Sequence, residues 1–249
     1  MEEAAFLNPA SLAYFNNGSV YAQRNTHKFK NTQGLVTDES KATAFVFADG
    51  NPNVSGSLSY VDQEEGVFKR KRWGLSVSAP LNKESSLGIS TRKSTDENSL
   101  LQTKVDYYQT VVGVTHSLDS QTSFGVIFYD VLNSKAKETK AMVGAQHMFA
   151  NTATLNFDLS ANYKAEEITD TIMYRGGLQF KVLDDFYLRF GGFNDKSKQE
   201  KGNGYGIAWI QPRLAFEFAI KSTNTKADLA LARSERKLKE TSLSASFRF

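Results

Sequence analysis

The chain has 249 residues, of which 23% are charged and 40% hydrophobic, and its formal net charge is +3. This length suits one large β domain or two small ones, and the small, dispersed charge excludes the basic patch that nucleic-acid-binding proteins carry. No window approaches the ~20 consecutive apolar residues that a membrane-spanning helix needs. The absence of cysteine excludes disulfides and thiolate metal sites.

The dominant signal along the chain is an alternation of apolar and polar residues. Between Ala153 and Lys164 every odd position is apolar and every even position is polar, and the stretches that begin at Trp73 and Leu214 repeat this pattern. Because successive side chains of a strand point to opposite faces, each stretch predicts a strand with one apolar and one polar face. Such runs, taken in chain order, predict about fourteen strands: 18–29, 41–49, 53–62, 70–80, 85–93, 105–118, 121–132, 139–149, 153–164, 171–183, 185–194, 203–210, 212–221 and 240–249.

Strand lengths and connection lengths together predict a membrane barrel. Strands of about ten to twelve residues match what a tilted strand needs to cross a bilayer. The connections alternate between short turns and longer charged links such as 94–104 and 222–239, an asymmetry typical of bacterial outer-membrane barrels. We therefore predict an all-β fold, a closed antiparallel transmembrane β-barrel of about 14 strands at 18–249. A short N-terminal segment, 1–17, lies ahead of it.

The residues ahead of the first strand include the motif Asn8-Pro9-Ala10, within the longer run Ala4 to Tyr14. This motif resembles the segment that precedes the barrel in the long-chain fatty-acid transporter (FadL) family and in PorV-like relatives. The resemblance implies a fourteen-stranded channel for hydrophobic compounds. It also implies that the segment around Asn8 and Pro9 lies inside or under the barrel. The transporters carry a longer N-terminal hatch and longer external loops than this sequence offers.

Charged residues recur on the polar faces of the predicted strands, which point into the lumen. The predicted lumen-lining set is Arg72, Asp158, Arg175, Arg189, Arg213, Glu217 and Arg248. An excess of cations would favour anionic solutes, whereas pairing of Asp158 and Glu217 with arginines would only satisfy a wet interior. Side chains alone fill an eight-stranded barrel but not one of this size. The lumen is thus either a narrow water-filled passage or occupied by bulky side chains and an infolded loop.

Three predicted strands, at 41–49, 105–118 and 121–132, are apolar on both faces. An apolar residue on the lumen side of such a strand needs an apolar neighbour. We therefore predict a hydrophobic substrate-binding pocket lined by Phe45, Phe47, Val111, Ile127 and Tyr129. Either a ligand or Phe6 and Leu7 of the N-terminal segment would fill this pocket.

The chain ends on an aromatic residue. Leu243, Ala245, Phe247 and Phe249 occupy every second position of the last strand, with polar residues between them. This pattern resembles the signal that the outer-membrane assembly machinery reads. The resemblance implies that this machinery is a partner during biogenesis and that outer-membrane lipids surround the folded barrel.

The sequence offers no catalytic constellation. Its three histidines, His27, His116 and His147, lack the spacing of a triad, so we predict no enzyme, no cofactor and no metal site. The first interpretation is a passive channel or binding protein for small hydrophobic or amphipathic molecules in a Gram-negative outer membrane. The second is a sealed, porin-like barrel that anchors or docks another envelope protein. Neither interpretation involves nucleic acid.

Overall fold

The computed structural model describes residues 8–15, 17–30, 36–134, 138–226 and 235–249. Within these ranges fourteen antiparallel strands form one closed barrel, in which each strand pairs with its sequence neighbours and the first pairs with the last. The strands are β1 (Ser19–Lys30), β2 (Val36–Ala48), β3 (Ser55–Glu65), β4 (Phe68–Pro80), β5 (Ser85–Asn98), β6 (Thr103–Ser117), β7 (Thr122–Tyr129), β8 (Lys140–Phe149), β9 (Ala153–Ala161), β10 (Met173–Lys181), β11 (Phe186–Asp195), β12 (Glu200–Ile210), β13 (Leu214–Thr225) and β14 (Arg236–Arg248). The predicted fold class is confirmed. No helix in the described part of the chain is long and apolar enough to cross a bilayer.

The barrel is apolar outside and polar inside. On β4, Trp73, Leu75 and Val77 are exposed on the outer surface, whereas Ser76 and Ser78, at the alternate positions, are buried on the inner surface. The same alternation of exposed apolar and less exposed polar residues recurs on β9. A continuous exposed apolar surface of this kind is covered by lipid tails rather than by water. On β4 and β9 the period-two pattern therefore predicted both the strand and the direction in which its faces point.

At one end of the barrel, which we call the loop end, β1 to β6 and β11 to β14 are longer than the sequence pattern predicted, whereas β7 to β10 are one to three residues shorter. β5 continues to Asn98 and β6 begins at Thr103, so only four residues remain of the predicted link 94–104. The predicted link 222–239 shrinks in the same way, because β13 continues to Thr225 and β14 begins at Arg236. The outer surface is charged there, as in the Lys104–Glu97 ion pair at 3.3 Å. The alternation of apolar and polar residues ends where the strands leave the lipid. Backbone hydrogen bonding between neighbouring strands continues beyond that point.

The opposite end, the turn end, is closed by short connections that polar side chains stabilise. In the turn between β6 and β7, Asp119 Oδ1 accepts hydrogen bonds from the backbone N–H groups of Gln121 and Thr122, at 2.7 and 2.6 Å. In the turn between β4 and β5, the side chain of Asn82 accepts two backbone N–H groups in the same way. Such Asx turns fix the hairpin geometry locally.

Candidate functional site

The N-terminal segment lies inside the barrel at the turn end, where Pro9–Tyr14 form a short 3-10 helix. Its backbone is held by the inner faces of β4 and β5, because Ser78 Oγ and Ser86 Oγ both donate to the carbonyl oxygen of Ala10, at 3.0 and 2.8 Å. Asn8 caps the helix by accepting the N–H of Ala10 at 3.1 Å. The segment is therefore attached through polar contacts as well as through packing.

Glycines on the inner faces of the strands make room for this segment. A Cβ atom on Gly88 would lie 2.3 Å from the backbone of Pro9 and Ala10, and one on Gly113 would lie 2.1 Å from Oδ1 of Asn8. A contact closer than 3.0 Å forces the neighbouring atoms apart. The wall formed by β5 and β6 is thus shaped around the Asn8-Pro9-Ala10 motif.

The remaining residues of the segment pack against β1 and β2, next to the place where β1 pairs with β14. Leu12 and Phe15 form a buried apolar cluster with Tyr21, Val46 and Ala48 on β1 and β2. Leu12 is fully buried, and burial of such a side chain contributes about 1.5–3 kcal/mol relative to its exposure. Residues 1–7, which include Phe6 and Leu7, lie outside the described part of the chain. Their place in a hydrophobic pocket stays a prediction.

Three of the five predicted pocket residues meet inside the lumen. Val111 and Ile127 are buried together with Met142, and Tyr129 and Met173 pack against them. The strand register explains this grouping, because Val111 pairs with Tyr129 and Ile127 pairs with Met142 across neighbouring strands. Met142 and Met173 were not identified from the sequence, since strands β8 and β10 carry no separate signal for their inner faces.

The placement of Phe45 and Phe47 in this pocket was wrong. Both side chains lie on the outer surface, 42% and 57% exposed, and the residue that points inward between them is the buried Val46. Phe45 pairs with Tyr60 on the outer face of β3. The error has a physical reason: β2 is apolar on both faces, so alternation cannot tell which set points outward. The smaller residues point inward because Leu12 of the N-terminal segment occupies the space there.

The predicted lumen charges of β9 to β13 form ion pairs between strands. Arg175 Nε lies 2.5 Å from Asp158 Oδ2, and Arg189 Nη1 lies 2.7 Å from Glu217 Oε2. Arg189 Nε also donates to Gln179 Oε1 at 2.8 Å. These side chains remain partly exposed to the lumen. The carboxylates therefore balance the arginines, which is the second of the two alternatives that the sequence left open.

Arg72 belongs to a different polar cluster, on the opposite side of the lumen. Glu138, from the connection between β7 and β8, reaches inward and lies 3.1 Å from Arg70 and 3.5 Å from Arg72. Gln109 on β6 donates to the same carboxylate at 2.9 Å. Nothing in the sequence signals this role of Glu138, because one acidic residue in a charged connection cannot be distinguished from a solvated one.

The two arginines nearest the turn end differ in position. Arg248 stands at an inward position on β14, paired with the buried Ser19 on β1. Arg213 was predicted on a strand face, but it lies exposed in the turn before β13, which begins at Leu214. Pro212 has no N–H to give to a ladder, so the strand starts after it.

The C-terminal residues of the predicted assembly signal form an outward row. Leu243, Phe247 and Phe249 are exposed on the outer surface, with Ala245 on the same face. The N–H of Phe249 donates to the carbonyl of Gly18 at 2.9 Å, next to the seam between β1 and β14. This placement closes the barrel with the last residues of the chain.

A cavity of about 560 Å³ lies against the inner faces of β9 to β13. Both ion pairs line it, together with Met173, Phe193 and Lys221. Part of its wall is bare backbone, because Gly177, Gly191, Gly204 and Gly206 occupy inward positions there. The lumen thus contains a filled side, with the N-terminal segment, and an open side, with this cavity.

These features define a closed fourteen-stranded transmembrane barrel with its N-terminal segment inside. No family model matches the sequence, and no curated protein matches it. Solved structures do match the fold. The "CymD monoaromatic hydrocarbon channel" is similar at a TM-score of 0.76 and 12% identity, over 100% of this chain and 93% of that one.

Two further solved structures are similar over 100% of this chain and 94% of their own. The Ralstonia pickettii toluene transporter TbuX has a TM-score of 0.71 at 11% identity, and a Pseudomonas aeruginosa FadL homologue has a TM-score of 0.69 at 13% identity. At these identities the likeness establishes the fold. The resemblance inferred from Asn8-Pro9-Ala10 is therefore confirmed as a shared barrel architecture of the FadL type.

Proposed function

We propose that this protein is a passive outer-membrane channel for small hydrophobic or amphipathic molecules. The observation that carries the proposal is the buried apolar cluster of Val111, Ile127 and Met142 on the inner surface of the barrel, which is separate from the cluster formed with the N-terminal segment. Met173 packs against this cluster and also lines the cavity. An apolar wall beside a cavity with a few fixed polar groups is the usual form of a site for a small organic molecule.

The charge arrangement around the cavity supports an uncharged or amphipathic substrate. Asp158 pairs with Arg175 and Glu217 pairs with Arg189, so these charges need no counter-ion from a solute. The polar edge can donate hydrogen bonds to one polar group of a substrate, while Met173 contacts its apolar part. Methionine adapts readily to ligands of different shape.

The fold comparisons support the same proposal. The similar structures bear the descriptions of a monoaromatic hydrocarbon channel and a toluene transporter. They also support an outer-membrane location, in agreement with the apolar outer surface. They give no support to the docking role. Because the chemistry we assign is passive passage, we propose no catalytic residue.

Uptake of a hydrophobic fluorescent probe tests the proposal. We would express the protein in a Gram-negative host whose outer membrane excludes 1-N-phenylnaphthylamine and measure the rate of probe entry. Ile127→Thr places a hydroxyl in the apolar cluster and is expected to slow entry roughly fivefold, the equivalent of ~1 kcal/mol. Val126→Thr is the matched control, because Val126 stands on the same strand with the outward-facing Val114 and Val143 as its partners.

Two results would contradict the proposal. One is probe entry no faster than in cells without the protein, although the folded barrel is present in the outer membrane. The other is an equal effect of Ile127→Thr and Val126→Thr, which would place the apolar inner cluster outside the route. Stable co-purification of one envelope protein, together with absent probe entry, would favour docking instead.

A further inference from the structure

The two sides of the lumen differ in how closely they are filled. On β4 and β5 the inward-facing residues Ser76, Ser78, Ser86 and Ser90 are at most 1% exposed. On β10 every inward position, from Met173 through Arg175, Gly177 and Gln179 to Lys181, remains partly or fully accessible. The N-terminal segment and the side chains of β3 to β6 therefore fill one side of the lumen, whereas the side formed by β10 stays accessible.

The glycines on the inner surface show the same difference between the two sides of the lumen. A Cβ atom on Gly88 would collide with the N-terminal segment at 2.3 Å. In the described part of the chain, a Cβ atom on Gly177 would meet only the carbonyl oxygen of Phe190, a neighbour in the same sheet, at 3.5 Å. Gly204 likewise has only sheet neighbours, at 3.4 Å or more, among the described residues. No described residue outside the sheet lies within 4 Å of either Cβ position.

The accessible positions of β10 cover most of the barrel height. Eight residue steps separate Met173 near the loop end from Lys181 at the turn end, and at ~3.3 Å a step they span roughly 26 Å along the strand. Polar groups recur along this path, including Gln179, Arg189 and the carboxylate of Glu217. We expect water to fill an accessible path that carries charged and polar groups at these positions.

We infer that the lumen conducts small hydrated ions along the inner faces of β9 to β13, past the N-terminal segment. This activity goes beyond the proposed passage of hydrophobic molecules and does not depend on it. Two ion pairs, Arg175–Asp158 and Arg189–Glu217, line the conducting path. Because each pair is neutral, the native channel discriminates weakly between cations and anions.

Replacing one partner of such an ion pair leaves a net positive or a net negative charge in the path. Glu217→Gln leaves Arg189 without its carboxylate, so the reversal potential in a KCl gradient is expected to shift toward the chloride equilibrium potential. Arg189→Gln leaves Glu217 and is expected to shift it toward the potassium equilibrium potential. Opposite shifts from two neutralisations of one pair require that ions pass beside this pair.

Cysteine modification locates the path. The sequence contains no cysteine, so an introduced thiol is the only one in the chain. Gly177→Cys points into the lumen and Gly176→Cys, its neighbour, points outward beside Phe157. Both positions accept a Cβ, with nearest atoms at 3.5 and 3.8 Å. Ser76→Cys is a near-isosteric control on the filled side.

The experiment uses the full chain in a planar bilayer with a negatively charged, membrane-impermeant methanethiosulfonate reagent. We expect a stepwise loss of conductance in each open channel with Gly177→Cys, and none with Gly176→Cys or Ser76→Cys. Gly204→Cys provides a second lumen position if Gly177→Cys does not assemble. The proposal is overturned by a folded wild-type barrel that does not conduct, or by conductance that responds to Ser76→Cys but not to Gly177→Cys. Uptake of the hydrophobic probe is measured separately, so either activity can fail without the other.

Discussion

Glu138 and Arg70 form an ion pair inside the barrel, with Oε1 of Glu138 3.1 Å from Nη2 of Arg70. The same carboxylate lies 3.5 Å from Arg72 and accepts a hydrogen bond from Gln109. One acidic side chain thus joins the connection between β7 and β8 to the inner faces of β4 and β6. It also separates two arginines that stand on the same face of one strand.

Removal of the Glu138 carboxylate is expected to make the connection between β7 and β8 more mobile. With Glu138→Ala, Arg70 and Arg72 lose a shared partner, which costs roughly 1 kcal/mol for ion pairs between side chains that are about one-third exposed. A spin label on Ser134→Cys, in the same connection, would report increased mobility by electron paramagnetic resonance. Glu64→Ala is the control, because Glu64 pairs with Lys69 away from this cluster. Equal mobility with and without Glu138 would show that the ion pairs do not hold the connection.

Some of these features could be predicted from the sequence and others could not. Strands such as β4 and β9 were predictable because lipid on one side and a polar lumen on the other impose strict alternation. Phe45 and Phe47 were misplaced because β2 carries no such contrast between its faces. The requirement for glycine at position 88 could not be inferred either. It arises because the backbone of Pro9, which is distant in the sequence, leaves no room for a Cβ atom there. Contacts between distant segments leave no periodic signal in either partner.

A side chain at Gly88 is expected to displace the N-terminal segment. In Gly88→Ala the new methyl group would stand 2.3 Å from backbone atoms of Pro9 and Ala10, which cannot rotate away. We expect a higher single-channel conductance and faster hydrogen exchange of the Leu12 amide. Gly56→Ala is the control, because its Cβ would lie 3.7 Å from the nearest atom. Unchanged exchange at Leu12 in a folded Gly88→Ala barrel would mean that the segment is not held where the structure places it.

A milder change at the same contact should have a smaller effect. Ser86→Ala removes the hydroxyl that donates to the carbonyl of Ala10 at 2.8 Å, while Ser78 still donates to that oxygen at 3.0 Å. We expect the Ser86→Ala variant to lose about 1 kcal/mol from the free energy that holds the segment in place. The Ser78→Ala/Ser86→Ala double variant should lose more than either single variant, because the carbonyl of Ala10 then has neither hydroxyl donor. Native-state hydrogen exchange of the segment measures all three variants, and a double variant that is no weaker than Ser86→Ala alone would contradict the hydrogen bond from Ser78.

The outward aromatic row at the C-terminus is expected to matter for assembly more than for stability. Phe247 and Phe249 are 51% and 71% exposed, so they add little to the barrel interior. Phe247→Ser should lower the amount of folded barrel in cells, while refolding of the purified chain into detergent stays close to that of the wild type. Leu243→Ser, on the same face but farther from the end, distinguishes loss of outer hydrophobicity from loss of a terminal signal. An equal defect of Phe247→Ser in cells and in detergent would assign these residues to barrel stability alone.

The turn between β6 and β7 is expected to weaken in acid. The backbone N–H groups of Gln121 and Thr122 donate to Asp119 and hold the pKa of its carboxyl below the ordinary value of 3.8. A lowered pKa in the folded state stabilises the fold above the unfolded-state value, and this stabilisation is lost as the pH falls through the folded-state value. The carboxyl carbon resonance of Asp119 in micelles should therefore titrate with a midpoint below that of the same residue in the denatured chain. Asp119→Asn keeps one acceptor oxygen and should preserve the turn at all pH values, whereas Asp119→Ala should loosen it even at neutral pH. A midpoint equal to that of the denatured chain would contradict the two hydrogen bonds, and with them the reason that this connection is so short.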